Sequence, residues 1–412
     1  MSKLNRSFTL AALLAGVAFA QTPAELMDRP DIRAAFAAVE RNESKMVDLE
    51  ARVCEIPAPP FHEEARGKEF ERLFREAGLK DVRIDKAGNV IGVRPGKAAH
   101  PNLVLAAHLD TVFPEGTDVH VTRSGTVLKG PGIGDDCRGL AVIMGVIHAL
   151  EEAHVQTLGT ITFVADVGEE GLGDLRGMKQ LFHETLKGQI DDFISVDGTG
   201  LGVTNAGVGS NRYKVTFKGP GGHSYGAFGM ANPIQAMGRA IAKIDAFDVP
   251  SQPRTTFNVG RVGGGTSVNA IPFEAWMEVD MRSSAPAALK ALDAKFHAAI
   301  QQAVDEENRR WNNRGAVSAS ADLVGVRPAG QTPADSPIVR TALAVSRAMG
   351  IPERLGEGST DANVPMNLGI PAITISGGGA GAGAHSLNET FDTKDSAKGT
   401  ERALLLAVSV VQ

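Results

Sequence analysis

Cysteine is almost missing from this chain: its 412 residues hold two, Cys54 and Cys137. They lie far apart and flank no metal-ligand spacing, which excludes a disulfide-built scaffold, and no bridge between them is expected. Basic runs are missing too, and the formal net charge is -6. A mildly acidic surface without such runs excludes nucleic acid and anionic membranes as partners. Long hydrophobic stretches are confined to the N-terminus, and nothing after residue 20 could span a bilayer.

That N-terminus carries Lys3 and Arg6, an apolar run over residues 8–19, and Ala18-Phe19-Ala20. The pattern predicts a secretory signal peptide over 1–20 with an A-x-A cleavage site, a mature chain from Gln21, and a periplasmic or secreted location. A retained anchor helix is the rival reading, but the run is too short for one. Cleavage removes Lys3 and Arg6 and takes the formal charge to about -8. With 43% hydrophobic and 22% charged residues, the composition suits a globular protein of two or three domains.

The stretch LVLAAHLD at 103–110 is the one around which the rest of the chain is organised. Its apolar start suits a buried parallel strand, which ends at His108 with Asp110 two residues on. Ligands bind at the carboxyl edge of open α/β sheets, so other strands are expected to end in ligands as well. Helices are expected at 31–55, 63–78, 140–150 and 336–349. A strand pair at 82–84 and 90–93 turns at Gly88-Asn89, and further strands fall at 159–166, 193–196 and 372–376. This alternation predicts an α/β fold, a mostly parallel sheet with helices on both faces. From 209 to 325 the order becomes βαββαβ, with strands at 212–217, 255–262, 274–282 and 317–326 and helices at 233–247 and 286–310. That is the order of a ferredoxin-like sandwich. Residues 21–208 and 326–412 are therefore assigned to one catalytic domain, interrupted by a lid at 209–325.

Five potential metal ligands fall at or just after those strand ends and helix starts: His108, Asp135 in GPGIGDDCRG, Glu170 in GEEG, Asp197, and His385 after the glycine-rich loop 377–383. Two imidazoles and three carboxylates suit zinc and tolerate cobalt or manganese. The set exceeds what one catalytic zinc needs, and two ions about 3.5 to 4 Å apart sharing a carboxylate fit better. Taken singly, His108 reads as a core histidine, Asp135-Asp136 as a helix cap, Glu169-Glu170 as a solvated turn and Asp197 as a turn former. Five such coincidences at one sheet edge outweigh the separate readings. Apart from His223, the other histidines read as surface or packing residues.

HLDTV at 108–112, GPGIGDDCRG at 130–139, GEEG at 168–171, Asp197, GGHS at 221–224, NAIP at 269–272, DMRS at 280–283, STDAN at 359–363 and AHS at 384–386 occur in that order. Together they resemble the two-zinc exopeptidases and amidohydrolases that include peptidase T, glutamate carboxypeptidase, acetylornithine deacetylase and carnosinase, and STDAN followed by LGIPAITISGGG looks closest to the peptidase T-like branch. The resemblance implies that His108 and Asp197 hold one zinc, that Glu170 and His385 hold the other, and that Asp135 bridges. It makes Asp110 the residue that orients His108 and Glu169 the general base toward a metal-bridging water. The family usually has Lys or Asn-Lys after the bridging aspartate pair, whereas here Asp136 is followed by Cys137 and Arg138. Beside five adequate ligands a thiolate is redundant, so Cys137 is read as a packing residue.

Three lid residues complete the reading. Arg282 ends a lid strand with a fork that matches a substrate carboxylate. His223 and Asn269 lie far in sequence from every ligand. In the resembling family the matching histidine stabilises the oxyanion, often from a partner chain, so a homodimer paired through the lid sheet is expected. The function implied is a secreted di-zinc peptidase of aminopeptidase, dipeptidase or carboxypeptidase type acting on short peptides. An N-acyl amino acid deacylase with the same machinery is the alternative. A nucleotide-binding reading of Gly377, Gly379 and Ala382 fails, because His385 interrupts the helix start it requires. A zinc-holding scaffold without turnover would have no need of Glu169.

Overall fold

Burial at every position of two strands sets the architecture. In the computed structural model, which describes residues 21–412, Asn102–His108 and Thr160–Asp166 are buried along their whole length. The expected signal peptide lies outside the described residues. Such strands need cover on both faces and neighbours on both edges. The sheet runs in the spatial order Lys80–Ile84, Val90–Arg94, Thr160–Asp166, Asn102–His108, Asp192–Val196, Ala372–Ile375, Val203–Gly207 and Gly330–Gln331, with Leu355–Gly358 also pairing against Val203–Gly207. Its four central strands, from Thr160–Asp166 to Ala372–Ile375, are parallel. Antiparallel strands flank them on both sides.

Side-chain alternation divides the core between the two faces. Leu103, Leu105 and Ala107 pack with the helices Pro30–Cys54, Cys137–Glu152, Pro337–Ala348 and Ala397–Val410. Val104 and Ala106 pack on the other side against Leu175, Met178, Phe182, Val364 and Met366. The helix Ala397–Val410 is absent from the sequence expectation, although Leu404, Leu405 and Leu406 are wholly buried. Its apolar residues face the core on several sides, so no single stripe announces it.

A second small sheet, Ala380–Ala382, Thr390–Asp392, Val127–Lys129 and Thr122–Ser124, joins the polar stretch after His108 to the loop that carries His385. The pairing Phe391↔Leu128 spans most of the catalytic unit in sequence, which periodicity cannot reveal.

The inserted unit follows the expected order: Gly209–Lys218, Pro233–Asp245, Thr255–Gly264, Glu274–Ser283, Pro286–Arg310 and Ser318–Arg327. Its four antiparallel strands lie in the order Thr255–Gly264, Glu274–Ser283, Gly209–Lys218, Ser318–Arg327, a ferredoxin-like sheet. Ala275, Met277, Val279 and Met281 pack under its two helices with Phe217, Phe296 and Ile300. The alternate residues Trp276, Glu278, Asp280 and Arg282 occupy the open face. The last strand, expected at 317–326, ends at Arg327, two residues past the expected lid boundary at 325, and so brings Arg327 to the boundary with the catalytic unit.

The expectation for the cysteines is corrected. Cys54 ends one helix, Cys137 begins another, and the two form a disulfide with Cα atoms 5.6 Å apart. Both residues are fully buried, and Cys137 is a cross-link rather than a packing residue. The pairing arises from two helices laid side by side, which a sequence separation of 83 does not disclose. It ties the helix Pro30–Cys54 to the segment that begins at Asp135.

Candidate metal centre

Parallel strands bring their carboxyl ends to one edge, and the expected ligands meet there. His108 is the last residue of its strand and is wholly buried. Its backbone N–H donates to Asp136 Oδ2 at 3.2 Å, and its Nδ1–H donates to the Asp110 carbonyl at 2.9 Å. With Nδ1 donating, Nε2 is the atom left to face a metal, and it lies 3.2 Å from Asp135 Oδ1. The other Asp135 oxygen lies 3.1 Å from His385 Nε2, which in turn is 3.0 Å from Glu170 Oε1. Donor atoms of His108, Asp135 and Asp197 gather within 4.8 Å of one another, as do those of Asp135, Glu170 and His385. Asp135 is common to both groups. All five expected ligands are brought together.

The supporting contacts differ from expectation in one respect. The Asp110 carboxylate does not take the hydrogen bond from His108, whose Nδ1 goes to the Asp110 carbonyl while the carboxylate stands 3.8 Å away. The carboxylate instead accepts the backbone N–H groups of Glu169 at 3.1 Å and Glu170 at 2.8 Å. Asp110 thus fixes the GEEG turn directly and the histidine only through its backbone.

Two further acids support the site: Asp136, read from the sequence only as part of a helix cap, and Glu389, which the sequence did not single out. Asp136 caps the helix Cys137–Glu152 through Gly139 N–H at 2.9 Å while also holding His108 N–H, so it locks the bridging residue's neighbour to the strand. Glu389, nearly buried, accepts Gly132 N–H at 3.0 Å, Gly134 N–H at 2.8 Å and Asp135 N–H at 3.0 Å. The loop needs its glycine at 134, because a Cβ there would sit 2.9 Å from Thr199 Cγ2. Glu389's only sequence signal is its place shortly after His385.

Charge at this edge is strongly one-sided. Burial pushes the carboxyls of Asp110, Asp136 and Asp197 above the usual carboxylate range. Burial also opposes ionisation of Asp135, but hydrogen bonds from His108 and His385 outweigh it and hold that group well below the usual range. The same contacts with Asp135 and Glu170 push His385 up to about 10, so a proton on its ring supplies positive charge that the acids demand. Divalent cations satisfy that demand better, and two imidazoles with three carboxylates are a donor set suited to zinc, cobalt or manganese. The residues present therefore fit a pair of metal ions.

Glu169 lies next to this cluster, its donor atom grouped within 4.8 Å of those of His108 and Glu170. Burial raises its carboxyl to about 7, against the opposing charge of Arg327. Arg327 Nη1 is 2.8 Å from Glu169 Oε1, an ion pair not expected from sequence.

The three lid residues are not joined to the cluster by hydrogen bonds or ion pairs within the described residues of the chain. His223 and Asn269 do meet each other's segments: Gly222–His223 pairs with Ala270–Ile271, and Ser224 N–H donates to the Asn269 carbonyl at 2.9 Å. His223 Nδ1 accepts Tyr225 and Gly226 N–H, both at 3.3 Å, which leaves the ring proton on Nε2. Arg282 sits on the open sheet face with its Nε 2.7 Å from Asp280 Oδ2.

Behind Glu169 a pair of acids is buried with no donor for any carboxylate oxygen: Asp166, opposite His108 in the sheet, and Asp361 of STDAN. Two acceptor-only groups can face each other only if one keeps a proton. Burial pushes Asp166 up to about 8 and Asp361 in the same direction. The unfolded chain gives up this proton near pH 4 while the folded chain keeps it to about 8, so folding stability falls as pH rises across that window. Asp166→Asn supplies an N–H to Asp361 in place of the proton. Its melting temperature is expected to fall less than that of the wild type between pH 5 and 8, in matched metal-free samples, and parallel curves would contradict the shared proton.

The chain is similar to known proteins over most of its length. Residues 104–408 match the family described as Peptidase family M20/M25/M40. The chain is 25% identical over 387 residues to the uncharacterized protein YqjE of Bacillus subtilis (strain 168), covering 89% of this chain and 98% of that protein. It is 27% identical over 339 residues to carboxypeptidase G2 of Pseudomonas sp. (strain RS-16), covering 78% of each. The crystal structure of aminopeptidase PepT from Bacillus cereus ATCC 10987 superposes with a TM-score of 0.73 at 23% identity, over 90% of this chain and 99% of that one, which shows a shared fold. The chain belongs to peptidase family M20/M25/M40 and is a metal-dependent hydrolase of peptide or amide bonds.

Proposed function

We propose that the protein is an exported di-zinc exopeptidase of short peptides, with Glu169 as general base. The observation that carries this reading is the position of Asp135, one oxygen toward His108 and the other toward His385. His108 and Asp197 would hold one ion, Glu170 and His385 the other, and Asp135 both. When bound, the ions supply Lewis acidity that polarises the scissile carbonyl and makes water easier to deprotonate. Glu169 takes the water's proton on its carboxylate and returns it to the leaving amine. Its raised affinity for protons suits that exchange near neutral pH. Asp110 keeps the base and Glu170 at fixed spacing by holding both backbone N–H groups.

Arg282 is assigned to the substrate's carboxylate: Asp280 occupies its Nε, which leaves the terminal nitrogens for a ligand. Export is supported by the signal-like N-terminus together with the Cys54–Cys137 bridge, since disulfides persist in oxidising compartments. Fractionation that found an uncleaved chain in the cytoplasm would contradict it. Zinc-loaded protein assayed on di- and tripeptides, their C-terminal amides and N-acyl amino acids tests the activity. Peptide cleavage is expected, with Glu169→Gln slower by at least about a hundredfold at unchanged metal content. Arg282→Ala is expected to raise KM for free-acid peptides far more than for the amides. Turnover of N-acyl amino acids alone would favour a deacylase on the same machinery.

His223 and Asn269 are assigned to the oxyanion of a partner chain's site in a lid-paired homodimer. Both are exposed and remote in sequence from every ligand, beside exposed Tyr225, Phe228, Val268 and Phe273. The free Nε2–H of His223 is the donor such a role requires. His223→Ala and Glu169→Gln chains are each expected to be nearly inactive, and random exchange between them to restore roughly a quarter of wild-type activity. Exchange without recovery would contradict action across the dimer.

A further inference from the structure

The catalytic sheet holds the residue proposed as base, but the only buried cation that touches it comes, among the described residues, from the lid. Arg327 is the last residue of the lid strand Ser318–Arg327, paired with Ser210 on the neighbouring strand. It is 5% exposed. Its Nη1 lies 2.8 Å from Glu169 Oε1 and donates to Ser359 Oγ at 3.0 Å, and its Nη2 donates to the Glu169 carbonyl. One guanidinium therefore grips both the carboxylate and the backbone of the same residue.

The surroundings make this grip rigid. Asn363, fully buried, donates through Nδ2 to Val208 O at 2.9 Å and to Pro328 O at 3.0 Å, stapling together the two points where the chain enters and leaves the lid. Next to Arg327, Val326 N–H donates to Asp174 Oδ1 at 2.7 Å, and Lys179 Nζ donates to Val326 O at 2.8 Å. Arg212, on an adjacent lid strand, reaches Gly171 O at 2.6 Å. The turn that carries Glu169 and Glu170 is thus held from two sides, by Asp110 on one and by lid residues on the other.

We propose that Arg327 is a positioning residue, holding the Glu169 carboxylate in the orientation from which it accepts a proton. This inference rests on the assignment of Glu169 as general base. A lysine at 327 would keep the charge but lose the two-point fork. A contact that only neutralised buried charge would be satisfied by lysine, and a contact that bound substrate would show in KM.

The test uses full-length, zinc-loaded protein and the di- or tripeptide it cleaves fastest. Arg327→Lys is expected to lose about tenfold or more in kcat with KM within about twofold, at wild-type zinc content and melting temperature. In the Glu169→Gln background the same change should cost nothing further, because there is no base left to position. If Arg327→Ala folds, guanidinium ion at non-denaturing concentration is expected to restore part of its kcat, and sodium chloride at equal ionic strength is not. Wild-type kcat in Arg327→Lys, a loss carried by KM, a loss of zinc, or full additivity with Glu169→Gln would each overturn the role. Near-wild-type rate in Glu169→Gln would overturn the base assignment itself and this role with it, a result distinguishable from failure of the Arg327 variants alone.

Discussion

Asp135 offers one carboxylate oxygen to His108 and the other to His385, and the arrangement at the sheet edge depends on that shared group. Burying so many acids around it is costly in the absence of cations, since a buried charge without a partner is destabilising by several kcal/mol. Several of them hold a neighbouring segment in place. Asp110 secures the GEEG turn, Asp136 the start of a helix and the His108 backbone, and Glu389 the loop that carries Asp135 itself. Without cations, the acids of this edge would be balanced among the described residues by two protonated histidines, Arg327 and the buried Arg66.

Much of this was legible in the sequence, for a definite reason. Parallel strands place successive strand ends at one edge, so His108, Asp197 and the residues after Asp166 could be assigned to a common site before any contact was known. The lid was equally legible: the expected helix at 286–310 coincides with Pro286–Arg310, since its length and its Pro start are local signals. What was not legible is the set of contacts made between distant segments. The Cys54–Cys137 bridge, the grip of Glu389 on residues 132–135 and the Arg327–Glu169 pair join segments that no periodicity relates. The role of Asp110 was half legible, because spacing alone does not tell whether its carbonyl or its carboxylate meets the His108 ring.

The lid and the catalytic unit divide the chemistry unequally. The residues assigned as metal ligands and base gather at the carboxyl edge of the parallel sheet, with His108, Glu169 and Glu170 buried, while the groups assigned to the substrate, His223, Asn269 and Arg282, come from an exposed face and loops of the insertion. Arg327 is the exception, a lid residue buried against the base. Rigid placement of the base and adaptable placement of substrate contacts suit an enzyme whose substrates differ in side chain but share a peptide bond.

The central claim is that one carboxylate joins two metal ions at this edge. Anomalous diffraction at the zinc edge, from crystals of zinc-loaded protein, tests it directly. The account requires two peaks per chain, one beside His108 and Asp197, the other beside Glu170 and His385, with Asp135 in contact with both. A single peak, or two peaks with Asp135 touching only one of them, would contradict it.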